Sequence, residues 1–281
     1  MTVTEHSREV PAGLTVQAAG HRTNYYDNGD GAPLVLLHGS GPGVSAYSNW
    51  NGVTPLLAGN FRTIAPDIAG YGLTEFREDG RYDIKLWVAH LLAFLDALEV
   101  DRAVLVGNSF GGALAIATAV FAPERVTGLV LLGTPAGEFP MTAGLRSGWY
   151  YEPSPDNMRA ILQEFPFDPD IVTDEMVAAR YALSARPGAQ EAFRRLVPEP
   201  AGTDGGTVRG AGAGFLAKVT APALILHGQQ DRVVPLEAGL FASRHIPAAD
   251  LHVFGRCGHW VQLERPVAFA EQVSLFAEGL G

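Results

Sequence analysis

The chain has 281 residues, 47% of them apolar, and a formal charge of −10 with its basic residues scattered, so it lacks the electrostatic footprint of a nucleic-acid binder. The first residues carry charges of both signs without an apolar run, and no segment has the uninterrupted apolar length of a membrane span. The single cysteine, Cys257, excludes an internal disulfide and reads as a small buried residue, so the expectation is a cytoplasmic protein with a small-molecule partner, no nucleic acid and no membrane.

Short apolar runs alternate with longer amphipathic ones, the pattern of a mostly parallel sheet with helices on both faces. Leu34 to His38 predicts a buried strand, followed by the glycine-rich loop Gly39 to Gly43, a helical segment ending near Asn60, and a second strand from Arg62 to Pro66. Asp83 to Leu98 has helical apolar spacing, with Asp83 placed to cap it. A strand at Ala103 to Val106, a helix at Gly111 to Ala122 stopped by Pro123, and a strand at Val126 to Leu132 follow.

After Pro135 the alternation stops, and residues 137–215 read as an inserted helical lid, with helices at Asn157 to Phe165 and Thr173 to Leu183. Pro200 to Gly214 is so rich in glycine that it predicts a loose linker. Alternation resumes with a strand at Pro222 to His227, a helix near Leu236 to Ser243, a strand at Leu251 to Phe254 and a helix from about Pro266 to Glu278. The chain thus divides into a core, residues 1–136 and 216–281, and a lid, residues 137–215.

Gly107 to Gly111 reads GNSFG between a strand and a helix, the context in which G-x-S-x-G is a nucleophile elbow; Ser109 as a mere helix cap is the structural alternative. A serine hydroxyl needs a base to take its proton and an acid to orient that base. Of the eight histidines, His6 and His21 precede the main sheet, His38 ends a strand and His90 lies in a helix. His227 comes before the candidate acid, while His245 and His252 have structural readings in their elements. His259 follows the last strand in the loop GRCGHW and is the expected base; Asp231, in HGQQDRVVP, is the expected acid unless it is a turn residue paired with Arg232. The oxyanion hole is expected from the backbone N–H groups of Phe110 and Ser40.

HGSGPG (His38 to Gly43) with SNW (Ser48 to Trp50), GNSFGG (Gly107 to Gly112) and GHWVQLE (Gly258 to Glu264) together resemble the meta-cleavage product hydrolases of the α/β-hydrolase superfamily, over nearly the whole chain. The resemblance implies an α/β-hydrolase fold: a mostly parallel eight-stranded sheet flanked by helices, with an inserted helical lid. It implies hydrolysis of a carbon-carbon bond in a dienoate ring-fission product of a catechol, no metal or organic cofactor, and a homodimer or larger homo-oligomer. It further implies that Asn108, Asn49, Trp260 and the loop glycines Gly39 and Gly41 line the dienoate pocket, with Arg180 clamping the substrate carboxylate. Arg180 has a structural alternative as a solvated helix residue. Tyr150 to Met158 and Arg180 to Phe193 look most like the branch acting on monocyclic compounds, with hydrogen or a small alkyl group at the 6-position. The same triad suits an ester, so a carboxylesterase or other serine acyl hydrolase is the alternative function; a non-catalytic ligand receptor on the same fold is a second.

Overall fold

The computed structural model describes residues 10–76, 82–196 and 206–280. The first half of the chain forms β1 (Leu14–Ala18), β2 (His21–Asn28), β3 (Ala32–Leu37), α1 (Ala46–Trp50), α2 (Thr54–Leu57), β4 (Phe61–Pro66), α3 (Ile84–Ala97), β5 (Ala103–Asn108), α4 (Phe110–Phe121) and β6 (Val126–Leu132). Next come β7 (Glu138–Pro140), α5 (Ala143–Trp149), α6 (Pro155–Glu164), α7 (Asp174–Ser184), α8 (Ala189–Leu196), β8 (Thr207–Arg209) and α9 (Ala213–Leu216). The chain closes with β9 (Ala223–Gly228), α10 (Leu236–His245), β10 (Ala249–Phe254), α11 (Val261–Glu264) and α12 (Pro266–Glu278). No helix among the described residues is long and apolar enough to cross a membrane.

Eight strands form one sheet in the order β1-β2-β4-β3-β5-β6-β9-β10. β1 and β4 flank β2 antiparallel, and every other neighbouring pair is parallel. β5 lies near the middle and every residue of it is buried, as a parallel strand covered on both faces requires. Alternate residues of the central strands feed two cores. Leu37, Leu105 and Leu131 pack toward α3 and α4, whereas Leu36, Val106 and Leu132 pack with Trp50 of α1 and Phe269 of α12. Asp83 caps α3 as expected, its side chain accepting the Leu86 N–H.

Two expectations are corrected. His21 does not precede the sheet: it opens β2, which carries six polar residues and two tyrosines in its eight positions and therefore lacks the apolar signal of the later strands. The glycine-rich stretch is not a loose linker where it is described. Thr207–Arg209 pairs antiparallel with Glu138–Pro140, Phe139 opposite Val208, and α9 follows; residues 200–205 lie outside the described residues. Backbone hydrogen bonds to a partner strand outweigh the entropic cost of the flanking glycines.

A third apolar cluster joins the segment between β6 and β9 to the loops at the sheet's C-terminal edge: Met158, Leu162 and Phe165 of α6 and its end pack with Val233, Val234 and Trp260. At the same edge, Asp67 follows β4 and is fully buried. Its Oδ1 accepts the Ala46 N–H at 2.6 Å, and its Oδ2 accepts Leu73 N–H at 2.7 Å and Asn24 Nδ2 at 2.9 Å. One carboxylate thereby ties the start of α1, the turn after β4 and β2 together, although burial pushes its pKa up to about 6. Asp67→Asn is expected to turn an amide N–H toward at least one of these donors, costing at least about 2 kcal/mol, read as a lowered urea midpoint.

Candidate active site

The candidate residues collect where β3, β5, β6, β9 and β10 end, the edge at which open α/β sheets place their ligands. Ser109 stands between β5 and α4 with φ 54° and ψ −115°, a conformation costing about 1–3 kcal/mol in a residue other than glycine. Its N–H donates to the Leu132 carbonyl of β6 at 2.7 Å, which anchors the strained turn. Added Cβ atoms at Gly107 and Gly111 would collide with the Gly111 carbonyl and the Leu37 carbonyl respectively, so only glycines let the helix fold back this closely over β5.

Gly133, next after Leu132, has φ 49° and packs against both His259 and Asp231; a Cβ there would lie 2.8 Å from His259 Nδ1 and 3.1 Å from Asp231 Oδ2. The end of β6 thus separates the serine from the other two groups by one residue of backbone. His259 Nδ1 lies 2.7 Å from Asp231 Oδ2, with both side chains buried. The other Asp231 oxygen, Oδ1, accepts the N–H groups of Val233 and Val234 at 2.8 and 2.9 Å. Asp231 is not paired with Arg232, whose guanidinium donates to the Gln163 and Pro166 carbonyls instead.

The His259 loop is held by groups that the sequence did not single out. The His259 N–H donates to the Phe165 carbonyl at 2.7 Å. Glu264 gathers the N–H groups of Phe167, Gly258 and Trp260 at 2.8 to 3.2 Å. The Phe165 ring stacks on Trp260, centroids 4.9 Å apart, and meets the His259 imidazole edge-on.

The glycine loop runs from the serine to a buried cation. Gly39 packs on the elbow, where a Cβ would lie 3.4 Å from Ser109 Cβ. Ser40 and Phe110 line a cavity of about 530 Å³ together with Ser109, and its walls include Trp87, Leu145, Trp149 and Val208. Neither the Ser40 nor the Phe110 N–H has an acceptor among the described residues. At the far end Arg180 Nε donates to the Pro42 carbonyl at 3.2 Å, and a Cβ on Gly41 would lie 3.3 Å from Arg180 Nη2. Arg180 is 7% exposed, so it is not a solvated helix residue, and it has no ion pair among the described residues. Burial lowers its pKa to about 10.

Asn49 and Trp260 are buried as well, and Asn49 Nδ2 lacks an acceptor among the described residues. Asn108 differs: its Nδ2 donates to the Leu132 and His259 carbonyls at 3.4 Å each, linking the elbow to the His259 loop. The remaining histidines among the described residues have local partners. His90 meets Thr23 Oγ1 at 2.8 Å, His245 meets the Phe241 carbonyl at 2.8 Å, and His252 lies against the Phe254 ring.

His38 braces the glycine loop. Its Nε2 accepts the Ile68 N–H at 3.0 Å, so the proton sits on Nδ1, which donates to the Gly39 carbonyl at 2.7 Å. Burial, reinforced by the Arg180 charge, pushes its pKa down to about 4.

This architecture and site define the class. A sequence family described as the alpha/beta hydrolase fold matches residues 32–266, and the chain belongs to it. Among similar proteins, the 2-hydroxy-6-oxo-2,4-heptadienoate hydrolase of Pseudomonas putida is 47% identical over 264 residues, 94% of this chain and 95% of that protein. The 2-hydroxymuconate semialdehyde hydrolase of Pseudomonas sp. strain CF600 is 45% identical over 98% of this chain and 96% of its own. A meta-cleavage product hydrolase from Pseudomonas fluorescens IP01, solved as a complex with acetates, superposes with a TM-score of 0.90 at 44% identity, covering 96% of this chain and 99% of its own. Within the superfamily, the chain is a member of the meta-cleavage product hydrolases.

The His38 geometry has a consequence for acid stability. A histidine whose folded pKa lies below its unfolded value near 6.5 contributes stability above that value and loses it as pH falls toward the folded pKa of about 4. Wild type is therefore expected to lose about 2 kcal/mol more than His38→Gln between pH 7 and pH 5, measured by urea unfolding at both pH values.

Proposed function

We propose that this chain hydrolyses the carbon-carbon bond of 2-hydroxy-6-oxohexa-2,4-dienoate-type ring-fission products carrying hydrogen or a small alkyl group at the 6-position. The products are 2-hydroxypenta-2,4-dienoate and a carboxylic acid. The observation that carries the reading is Arg180, a buried guanidinium without a carboxylate partner among the described residues, at the opposite end of the Gly39 to Gly43 loop from Ser109. A buried, unpaired cation is costly, and an anionic substrate group would relieve that cost by a charge-assisted pair. A general esterase has no need of such a cation.

In this reading Arg180 and the free Asn49 amide hold the C1 carboxylate and the 2-oxygen, with Trp260 as a wall. That clamp favours the keto tautomer, in which a proton has been added to C5. Ser109, deprotonated by His259, which Asp231 orients, adds to the C6 carbonyl, and the Phe110 and Ser40 N–H groups stabilise the oxyanion. The C5–C6 bond then breaks, its electrons moving into the dienoate, and water completes the carboxylic acid. Asn108 acts from the frame, its amide N–H groups on the serine side bonded to the end of β6 and to the His259 carbonyl. The apolar cavity walls at Leu145, Trp149 and Val208 suit an alkyl rather than a charged 6-substituent. A cytoplasmic location and a homodimer or larger homo-oligomer belong to the same reading.

Mixed with the yellow ring-fission products of catechol and 3-methylcatechol, the protein is expected to bleach both; turnover of p-nitrophenyl esters without bleaching would establish the esterase instead. Ser109→Ala and His259→Ala should each lower kcat by at least about 10³-fold. Arg180→Gln should raise KM for the dienoate by about tenfold or more while leaving p-nitrophenyl ester hydrolysis within about twofold, and equal loss on both would remove Arg180 from carboxylate binding.

A further inference from the structure

His227, the penultimate residue of β9, is a second imidazole on the Asp231 carboxylate. Its side chain is wholly buried. Nε2 lies 3.0 Å from the Val234 carbonyl oxygen and 3.5 Å from Asp231 Oδ2. A carbonyl oxygen can only accept, so Nε2 carries the proton. Nδ1 has no partner among the described residues and faces Gly239 of α10, where a Cβ would lie 2.7 Å from it. The ring is therefore a neutral imidazole whose single N–H donates to a loop carbonyl beside the carboxylate.

The groups around Asp231 have divided roles. Oδ1 takes two backbone N–H groups, and Oδ2 takes His259 Nδ1. His227 reaches across the base of the 228–234 loop, so its bond to Val234 sets the loop's width, while the same N–H lies 3.5 Å from Oδ2 as an electrostatic contact and not a hydrogen bond.

We propose that His227 is a positioning residue for catalysis: its Nε2–H, donated to the Val234 carbonyl, fixes the loop that presents Asp231, and its N–H dipole 3.5 Å from Asp231 Oδ2 steadies the carboxylate's charge while His259 carries the proton. This assignment rests on the reading of Ser109, His259 and Asp231 as a catalytic triad.

The charged and titratable groups that face His227 are Asp231 from its own loop, His259 from the loop after β10 and Glu237 from α10. Burial dominates and holds His227 below the ordinary histidine range, against the two carboxylates. It thus stays neutral while His259 cycles. A charged His227 would compete with the His259 imidazolium for one oxygen.

The test compares wild type, His227→Gln, His227→Leu and Ser109→Ala by pH profiles of kcat and kcat/KM on the dienoate. His227→Leu is expected to lower kcat by about tenfold or more with KM within about twofold, because the triad and not substrate binding is disturbed. Without the donor Asp231 becomes more basic and holds the His259 proton more tightly, so the acid limb of kcat/KM should move to higher pH. His227→Gln, which restores an N–H near the Nε2 position, should recover most of both effects. Unchanged kcat in the leucine variant, or a loss that leaves the acid limb in place and is not recovered by glutamine, would overturn the proposal. Where the leucine variant does not fold, ¹⁵N NMR of wild type decides. The His227 ring should show the Nε2–H tautomer from pH 6 to 8, on the ordinary histidine range, and an Nδ1–H tautomer would overturn the assignment. Full activity of Ser109→Ala would instead overturn the underlying triad.

Discussion

The hydrogen bond from the Ser109 N–H to the Leu132 carbonyl is the constraint around which the site is arranged. Ser109 occupies a backbone conformation that a serine adopts only under compulsion. The compulsion comes from β6 on one side and from the glycine contacts with β3 and β5 on the other. Because β6 lies between β5 and β9, the same strand end that holds the serine also touches the histidine and the aspartate. Sheet order therefore converts three remote stretches of sequence into one constellation.

Around that constellation the protein keeps several polar groups away from water, each with a different solution. Asp67 is surrounded by N–H donors, and His38 is neutral with both ring nitrogens engaged. Arg180 has one carbonyl and the rim of the glycine loop. The first two stabilise the frame because their hydrogen-bonding capacity is matched. The third leaves most of a guanidinium unmatched, which is unfavourable for folding and favourable for binding an anion.

Much of the fold could be read in the chain because central parallel strands are continuous apolar runs, and Ala103 to Val106 or Val126 to Leu132 can hardly be anything else. β2 escaped detection since HRTNYYDN, next to the edge strand, consists of six polar residues around an adjacent pair of tyrosines and has no apolar run. β8 escaped because its three residues owe their strand to a partner some 70 residues earlier. Asp231 and His259 each stand out in a local motif, and their contact, like the hold of the β6 end on Ser109, follows from the strands that carry them. The burial of Arg180 was not legible, since a helix records nothing of the loop it will face. Asp67 left a faint signal, an aspartate opening the glycine-containing turn DIAGYG. Glu264 left none, because its three N–H donors come from two separate segments.

Glu264 also couples two parts of the molecule mechanically. It grips the backbone just beyond α6 and the backbone on both sides of His259 with a single carboxylate, while the Phe165 carbonyl holds the His259 N–H directly. The end of α6 and the imidazole consequently behave as one rigid piece, and lifting the first would drag the second away from the serine. Any motion of the segment between β6 and β9 that keeps His259 in place must leave this corner closed.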